Sequence, residues 1–297
     1  MGSLLIKKGD LGMETGREEK RPGRKPDGLK IIISTVIIAF GLLNIFPFIF
    51  MLSSSFKLNA NVFEYPFRLI PKPFILTNFE TILSPQYYFL RWYANTVILV
   101  VVTIALRVLI VGITAYALAR LRFRGRNAIF FIFILTLMIP SDSLLVPRYI
   151  VLSFLHLTDS MWSIVFLFTF EFFLVFLVRQ FYLTIPYELT EAAIIDGCSH
   201  IRVFFNIILP LSKPAMITMA IFTFVWQWND FTDPFIFIST LEKQMIAVGI
   251  RNFASEHGVK YAMQMAGSTL TLLPVIGVFL FVQKYFIEGI STSGIKG

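Results

Sequence analysis

Between Pro186 and Pro210 the chain carries Glu188, Glu191, Ala192, Ala193, Asp196 and Gly197. Pro186 suits the opening of a helix and Gly197 its closure in a left-handed cap, so the stretch predicts two short helices with a turn between them. Ala192 and Ala193 make a flat surface that another backbone can approach, and the three acids take exposed positions on the same helix. That chemistry is docking into a partner's groove. A second set, Trp226, Trp228, Asn229 and Asp230, combines aromatic faces with amide and carboxylate groups. It fits the C–H faces and hydroxyls of a sugar, and it equally fits a packing cluster or an interfacial aromatic belt. Arg107 and Glu171 are ionisable residues deep in apolar runs. Such groups face the protein interior and often pair, here directly or through water, and a structural ion pair is favoured over a ligand contact. His156, His200 and His257 are scattered over different links, so no metal site or catalytic cluster is expected. The single cysteine, Cys198, forms no internal disulfide.

These groups sit in a chain of 297 residues, 56% apolar and 15% charged, with 33 phenylalanines. Mean hydropathy is +0.75. A soluble globule needs more charge to cover its surface, and a chain with this much apolar surface does not stay disordered. The 17 glycines and 14 prolines show no period, which excludes a collagen-like fibre. The chain is a membrane protein. Its net charge of +8 would suit nucleic acid, but in so apolar a chain basic residues mark the cytoplasmic ends of spans. Lipid is therefore an expected partner and nucleic acid is not.

Six apolar stretches are long enough to span, at about 31–53, 93–118, 128–151, 160–183, 212–238 and 263–286. The third is expected to stop early at Pro140, and Pro210 and Pro214 lie near the start of the fifth. The fold class is all-α, a polytopic protein with six transmembrane helices. Residues 1–28 read as a basic tail rather than a secretory signal, because the apolar run behind them is too long. Arg120, Arg122, Arg124 and Arg126 fill the link between spans two and three, which is read as a topology signal. With that link cytoplasmic, basic residues favour the same side by about two to one, and both termini are cytoplasmic. Residues 29–290 form the transmembrane domain, with external loops at 57–91 and 240–261 and a cytoplasmic segment at 186–210. Residues 291–297 are a cytoplasmic tail. In the first external loop, Thr77 or Asn78 is expected to cap a short helix through Leu83. Asp142, Asp159 and Asp233 are read as solvated surface.

The pattern Glu191-Ala192-Ala193, Gly197, Ile207, Leu209-Pro210 resembles the EAA motif of membrane subunits of bacterial ABC importers. Ala115 to Arg120, Phe123-Arg124-Gly125-Arg126, Arg179-Gln180-Phe181, Trp228 to Phe231 and Ser293 to Gly297 resemble its carbohydrate branch, as in the six-span subunit of maltose-type importers. The resemblance runs from about residue 29 to the last residue. It implies a type I ABC importer permease fold in the bacterial cytoplasmic membrane. It also implies a second permease subunit, two ATP-binding subunits and an extracytoplasmic solute-binding protein that delivers a sugar. ATP and Mg²⁺ would be bound by the partner subunits and no cofactor by this chain, which has no Gly-rich Lys-Ser/Thr phosphate loop and is not expected to be an enzyme. The helix from Glu188 to Gly197 would seat in an ATPase cleft. The tail with Ser293, Gly294 and Lys296 would make a second contact, and the loop with Ala254, Glu256, His257 and Lys260 would meet the binding protein. Oligosaccharides lead as the substrate, while monosaccharides, polyols and glycerol-phosphate-type solutes stay open. An ion-coupled secondary transporter and a membrane-embedded enzyme are the rival classes. The motif argues against the first, and the absence of clustered His, Asp or Ser at one depth argues against the second.

Overall fold

The computed structural model describes residues 28–255 and 258–293. The expected basic tail lies almost wholly outside them. The chain divides into two units, after Pro47. In the first, residues 28–47 belong to helix α1 (Gly28–Ser55). Thr35 and Asn44 return their side-chain donors to Ile31 O and Phe40 O at 2.9 and 2.8 Å, so polar groups on an apolar helix find acceptors one turn back.

The second unit is built around α3 (Phe89–Arg120), 32 residues rich in Val, Ile and Leu. Before it come the end of α1 and the short α2 (Thr77–Leu83). After it come α4 (Arg126–Thr136), α5 (Leu145–Phe154), α6 (Met161–Thr169) and α7 (Phe172–Thr184). Then follow α8 (Glu188–Ile195), α9 (His200–Val203), a π segment (Phe204–Ile208), α10 (Leu209–Leu211) and α11 (Lys213–Asn229). The chain continues through α12 (Thr232–Phe237), α13 (Ile246–Gly249), a two-residue hairpin of β1 (Ala254–Ser255) and β2 (Gly258–Val259), and α14 (Tyr261–Ser293).

Among the described residues, α1, α3 and α14 are long and apolar enough to cross a membrane unbroken. Three further stretches are bent pairs: residues 126–136 with 141–154 at 99°, 161–169 with 172–184 at 41°, and 200–211 with 213–229 at 78°. The first bend falls at Pro140 as expected. The second has no proline or glycine and had no signal in the sequence. The third corrects the expected fifth span: its helix ends at Asn229 rather than near 238, and its lead-in begins at His200.

Residues of α3 enter all three buried clusters. Val111, Ala115 and Tyr116 pack with Leu174, Val178, Tyr182 and Met219; Leu99 packs with Ile164 and Phe237; Phe89 and Trp92 pack with Ile82, Ile246 and Ala266. The last of these is tight. Trp92 donates to Leu241 O at 2.7 Å, and a Cβ built on Gly249 would fall 2.2 Å from its indole.

The links are fastened by side chains. Asn78 does not cap α2, where Leu76 stands without a side-chain cap bond. Its amide instead donates to Ser55 O and Lys57 O at 2.9 and 2.8 Å, because carbonyls at the end of α1 lack partners. Asn59 donates to Val259 O at 3.1 Å and accepts from Ala262 N at 3.2 Å. Asp159 is also not free surface. Its carboxylate accepts from Ser239 N, Thr240 N, Thr240 Oγ1 and Lys243 Nζ, the last at 2.7 Å. The Lys243 bond, followed by those from Thr240, holds this carboxyl well below the usual range.

Two outcomes follow from these contacts. Gly249→Ala must displace a rigid, buried indole, and is expected to cost about 1–3 kcal/mol, read as a lower melting temperature in detergent. A carboxyl depressed in the fold contributes stability that is full above its unfolded pKa of about 3.9 and is lost as pH falls through its lower folded value. Hydrogen exchange of the Ser239 and Thr240 amides, corrected for intrinsic rates, should therefore be flat from about pH 5 to 8 and should quicken only below about pH 4.

Candidate functional site

Helix α8 follows directly from the end of α7, where two arginines set its position. Arg120, at the last turn of α3 and 4% exposed, donates to Tyr182 O and Ile185 O. These carbonyls end α7, where Tyr182 O also accepts from Ile185 N at 3.3 Å. Arg179 of α7 returns the arrangement, donating to Leu118 O at 3.1 Å in the last turn of α3. Arg120 and Arg122 both lie over the ring of Tyr187, the cap residue of α8, at 5.7 Å. The arginine link thus does more than mark topology. The type of residue was legible, but the carbonyls it meets were not.

The cap of α8 is a double one. Gly197 N donates to Ile194 O at 3.0 Å, and Cys198 N donates to Ala193 O at 2.9 Å. Gly197 has φ +84°, the left-handed conformation expected from the sequence. Glu188, Glu191, Ala192 and Asp196 are exposed, and Ile195 is 85% exposed. Ala193 departs from expectation. It is buried in the core with Tyr182 and Val203, so Ala192 alone of the two faces outward. The helix is one-sided because its small residue lets it lie flat on its own protein. Past Ser199, whose Oγ accepts from Arg202 N at 3.4 Å, the chain turns back, and Phe204 packs on Tyr116 at 5.5 Å.

The second candidate region is a cavity of about 490 Å³. Trp226 and Asp230, one turn apart at the end of α11, border it. Trp228 and Asn229 point elsewhere: Trp228 is buried, donates to Thr271 O at 3.2 Å and packs edge-on against Tyr93, while Asn229 bonds back to Val225 O at 2.8 Å. Glu171 borders the same cavity, together with Asp142, Arg148, Asp233, Phe173 and Phe222. Asp233 is 7% exposed and lies 3.5 Å from Arg148, so it is not the surface acid it was expected to be. Sequence reasoning missed Arg148, Phe173 and Phe222. The Phe222, Trp226, Asp230 spacing of four was the signal available for one of them.

Arg107 is fully buried and forms no ion pair with Glu171 among the described residues. Its Nε donates to Phe168 O at 2.6 Å and its Nη1 to Thr223 Oγ1 at 2.8 Å. The break after Thr169 explains the substitution: Phe170 and Glu171 are extended, Phe168 O is left at a helix end, and the arginine takes it. Glu171 begins α7, where a carboxylate is favoured by the helix dipole. Of the residues expected to meet the binding protein, Lys260 lies beside Tyr87, with Nζ 3.4 Å from its hydroxyl, and Ala254 begins the hairpin. Glu256, His257, Gly294 and Lys296 lie outside the described residues, and Ser293 ends α14. No group of three or more metal-ligating side chains occurs among the described residues.

This architecture is that of an ABC importer permease. It matches a chain in the crystal structure of a bacterial ABC transporter involved in the import of the acidic polysaccharide alginate, with TM-score 0.80 over 87% of this chain and 96% of that one, at 24% identity. Residues 108–291 match the family model described as binding-protein-dependent transport system inner membrane component, and the chain belongs to that family. It is 32% identical to the arabinooligosaccharides transport system permease protein AraQ of Bacillus subtilis (strain 168), over 90% of this chain and 96% of that protein. It is 29% identical to the maltodextrin transport system permease protein MdxG of the same organism, again over 90% and 96%. It is 31% identical to the sn-glycerol-3-phosphate transport system permease protein UgpE of Yersinia enterocolitica, over 90% and 97%. The chain is a multi-pass protein of the cytoplasmic membrane, a permease of the sugar ABC transport class.

Because a Cβ at Gly197 would meet nothing within 4 Å, the cost of replacing it is conformational alone. Gly197→Ala is expected to destabilise the cap by about 1–2 kcal/mol, and Gly197→Asn by clearly less. Hydrogen exchange at the Cys198 amide reads the difference.

Proposed function

We propose that this chain is the permease subunit of an ATP-driven importer for a sugar, with an oligosaccharide as the leading substrate. It would pair with a second permease subunit, stand on two ATP-binding subunits, and receive its solute from an extracytoplasmic binding protein. On this reading α1, α3, the three bent pairs and α14 are six spans, both termini are cytoplasmic, and α8 lies on the cytoplasmic face. The observation that carries the reading is α8 itself. A short helix fixed on one side by Ala193 and by the Gly197 cap presents Glu188, Glu191, Asp196 and Ile195 outward, which suits insertion into a partner's cleft. Closure of the ATPase pair would then move this end of the permease as a rigid body and alternate the access of the path. ATP and Mg²⁺ belong to the partner subunits on this reading. The tail with Ser293, Gly294 and Lys296 would supply a second ATPase contact, and the loop with Ala254, Glu256, His257 and Lys260 would meet the binding protein. The similarity to UgpE keeps a glycerol-phosphate-type solute as the second reading.

Co-expression of the tagged permease pair with its ATPase subunit tests the assignment. Ile195→Asp and Glu191→Arg are expected to reduce ATPase recovery at least tenfold while the second permease subunit still co-purifies. Equal recovery of ATPase in both variants would refute the docking role of α8. A panel of oligosaccharides, polyols and glycerol phosphate in sugar-stimulated ATPase assays then separates the two substrate readings.

A further inference from the structure

Three interruptions of helix open onto one cavity. Asp142 comes from the break between α4 and α5, Glu171 from that between α6 and α7, and Asp230 from that between α11 and α12, with Asp233 in the first turn of α12. In an apolar medium, interrupted backbone is tolerated where it is buried in protein or lines a wet cavity, and broken helices are where transporters hold their solutes. The volume, about 490 Å³, falls within the span of about 300–1,000 Å³ common to small-molecule sites. Its aromatic lining is continuous: Trp226 lies 5.3 Å from Phe222 and 6.0 Å from Phe173, centroid to centroid. One sheltered acceptor has no partner. Asp230 Oδ1 accepts from Asp233 N at 3.4 Å, while Oδ2 is closed to solvent and receives no hydrogen bond. Four carboxyl groups thus face a cavity whose lining includes one basic residue, Arg148, already engaged by Asp233 at 3.5 Å.

We propose that this cavity holds one uncharged glycosyl unit of the transported sugar and disfavours uronate and phosphorylated sugars. The proposal rests on the reading of the chain as a sugar permease. The rings offer a face to the sugar's C–H groups, and the carboxyl oxygens accept from its hydroxyls, with Asp230 Oδ2 gaining the donor it lacks. An added carboxylate or phosphate on the sugar meets Asp142 and Glu171, and the four carboxyl groups outnumber the two nearby arginines, Arg148 beside Asp233 and the buried Arg107 over the ring of Trp226, which is discrimination by repulsion.

The test uses the assembled importer without its binding protein, so that only the permease pair selects. Saturation-transfer NMR is recorded with maltotriose and arabinotriose as neutral probes and trigalacturonate as the anionic one. Neutral probes should receive saturation at least tenfold more strongly than trigalacturonate. Trp226→Ala should remove the neutral signal, while Trp226→Phe, which keeps a ring, should retain most of it. Asp142→Asn combined with Glu171→Gln should raise the trigalacturonate signal at least threefold. Equal signals from neutral and anionic probes, or a neutral signal unmoved by Trp226→Ala in a complex that still carries its ATPase, would overturn the proposal. Uptake into proteoliposomes with the binding protein separates the two levels. Neutral-sugar uptake that ignores all these substitutions removes the cavity proposal and leaves sugar import standing, whereas no uptake of any sugar removes both.

Discussion

A helix that stops inside an apolar environment exposes carbonyls that water cannot reach, and the whole second unit depends on how these are answered. Arginines answer them. Arg107 takes Phe168 O at the end of α6, Arg120 takes Tyr182 O and Ile185 O at the end of α7, and Arg179 takes Leu118 O near the end of α3. Each bond joins a cation to a carbonyl at or near a helix end, a class of hydrogen bond stronger than a neutral pair at about 1.5–3 kcal/mol. Each also locks one helix to its neighbour. The guanidinium suits the task because it stays charged and carries five donors in a rigid fork.

This explains how breaks and rigidity coexist. The break at Phe170 and Glu171 would be costly in lipid, yet it lets α6 and α7 meet α3 at different angles while Arg107 keeps their junction fixed. The same break brings a carboxyl to the start of α7 and turns it toward the cavity. At the far end of α7, the Arg120 and Arg179 exchange holds the strand of chain leading into α8, so the exposed acids of α8 rest on a base bonded directly to the longest buried helix. The two candidate regions are therefore linked through α3 and α7 by these hydrogen bonds.

Much of this was legible in the residues. Apolar runs located most of the helices within a few positions, though the fifth ran to about 238 where α11 ends at Asn229; Pro140 announced its bend, and Gly197 announced its left-handed cap. What stayed hidden was tertiary. Phe170 and Glu171 carry no breaking signal, since their extended conformation is favoured by the partner that Arg107 finds there. Ala193 reads like Ala192 in sequence, and only the position of Tyr182 and Val203 turns it inward. Asn78 has the composition of a cap and spends its amide on the end of α1 instead. Asp159 and Asp233 look like ordinary loop acids until Lys243 and Arg148, each far away in the chain, are folded against them. Among the aromatic and polar residues near the end of α11, the four-residue period separates Trp226 and Asp230 from Trp228 and Asn229, and that separation required knowing which face was covered.

Asn59 gives the molecule an order of assembly. Its single amide group bridges Val259 and Ala262, two hundred residues later, so the first loop is latched only once the last helix has been synthesised and inserted. Contacts this distant in sequence form late and carry a large closure entropy. During synthesis the earlier helices must wait with this latch open, and the emergence of α14 closes it, which makes a late segment of the chain the checkpoint for an early one.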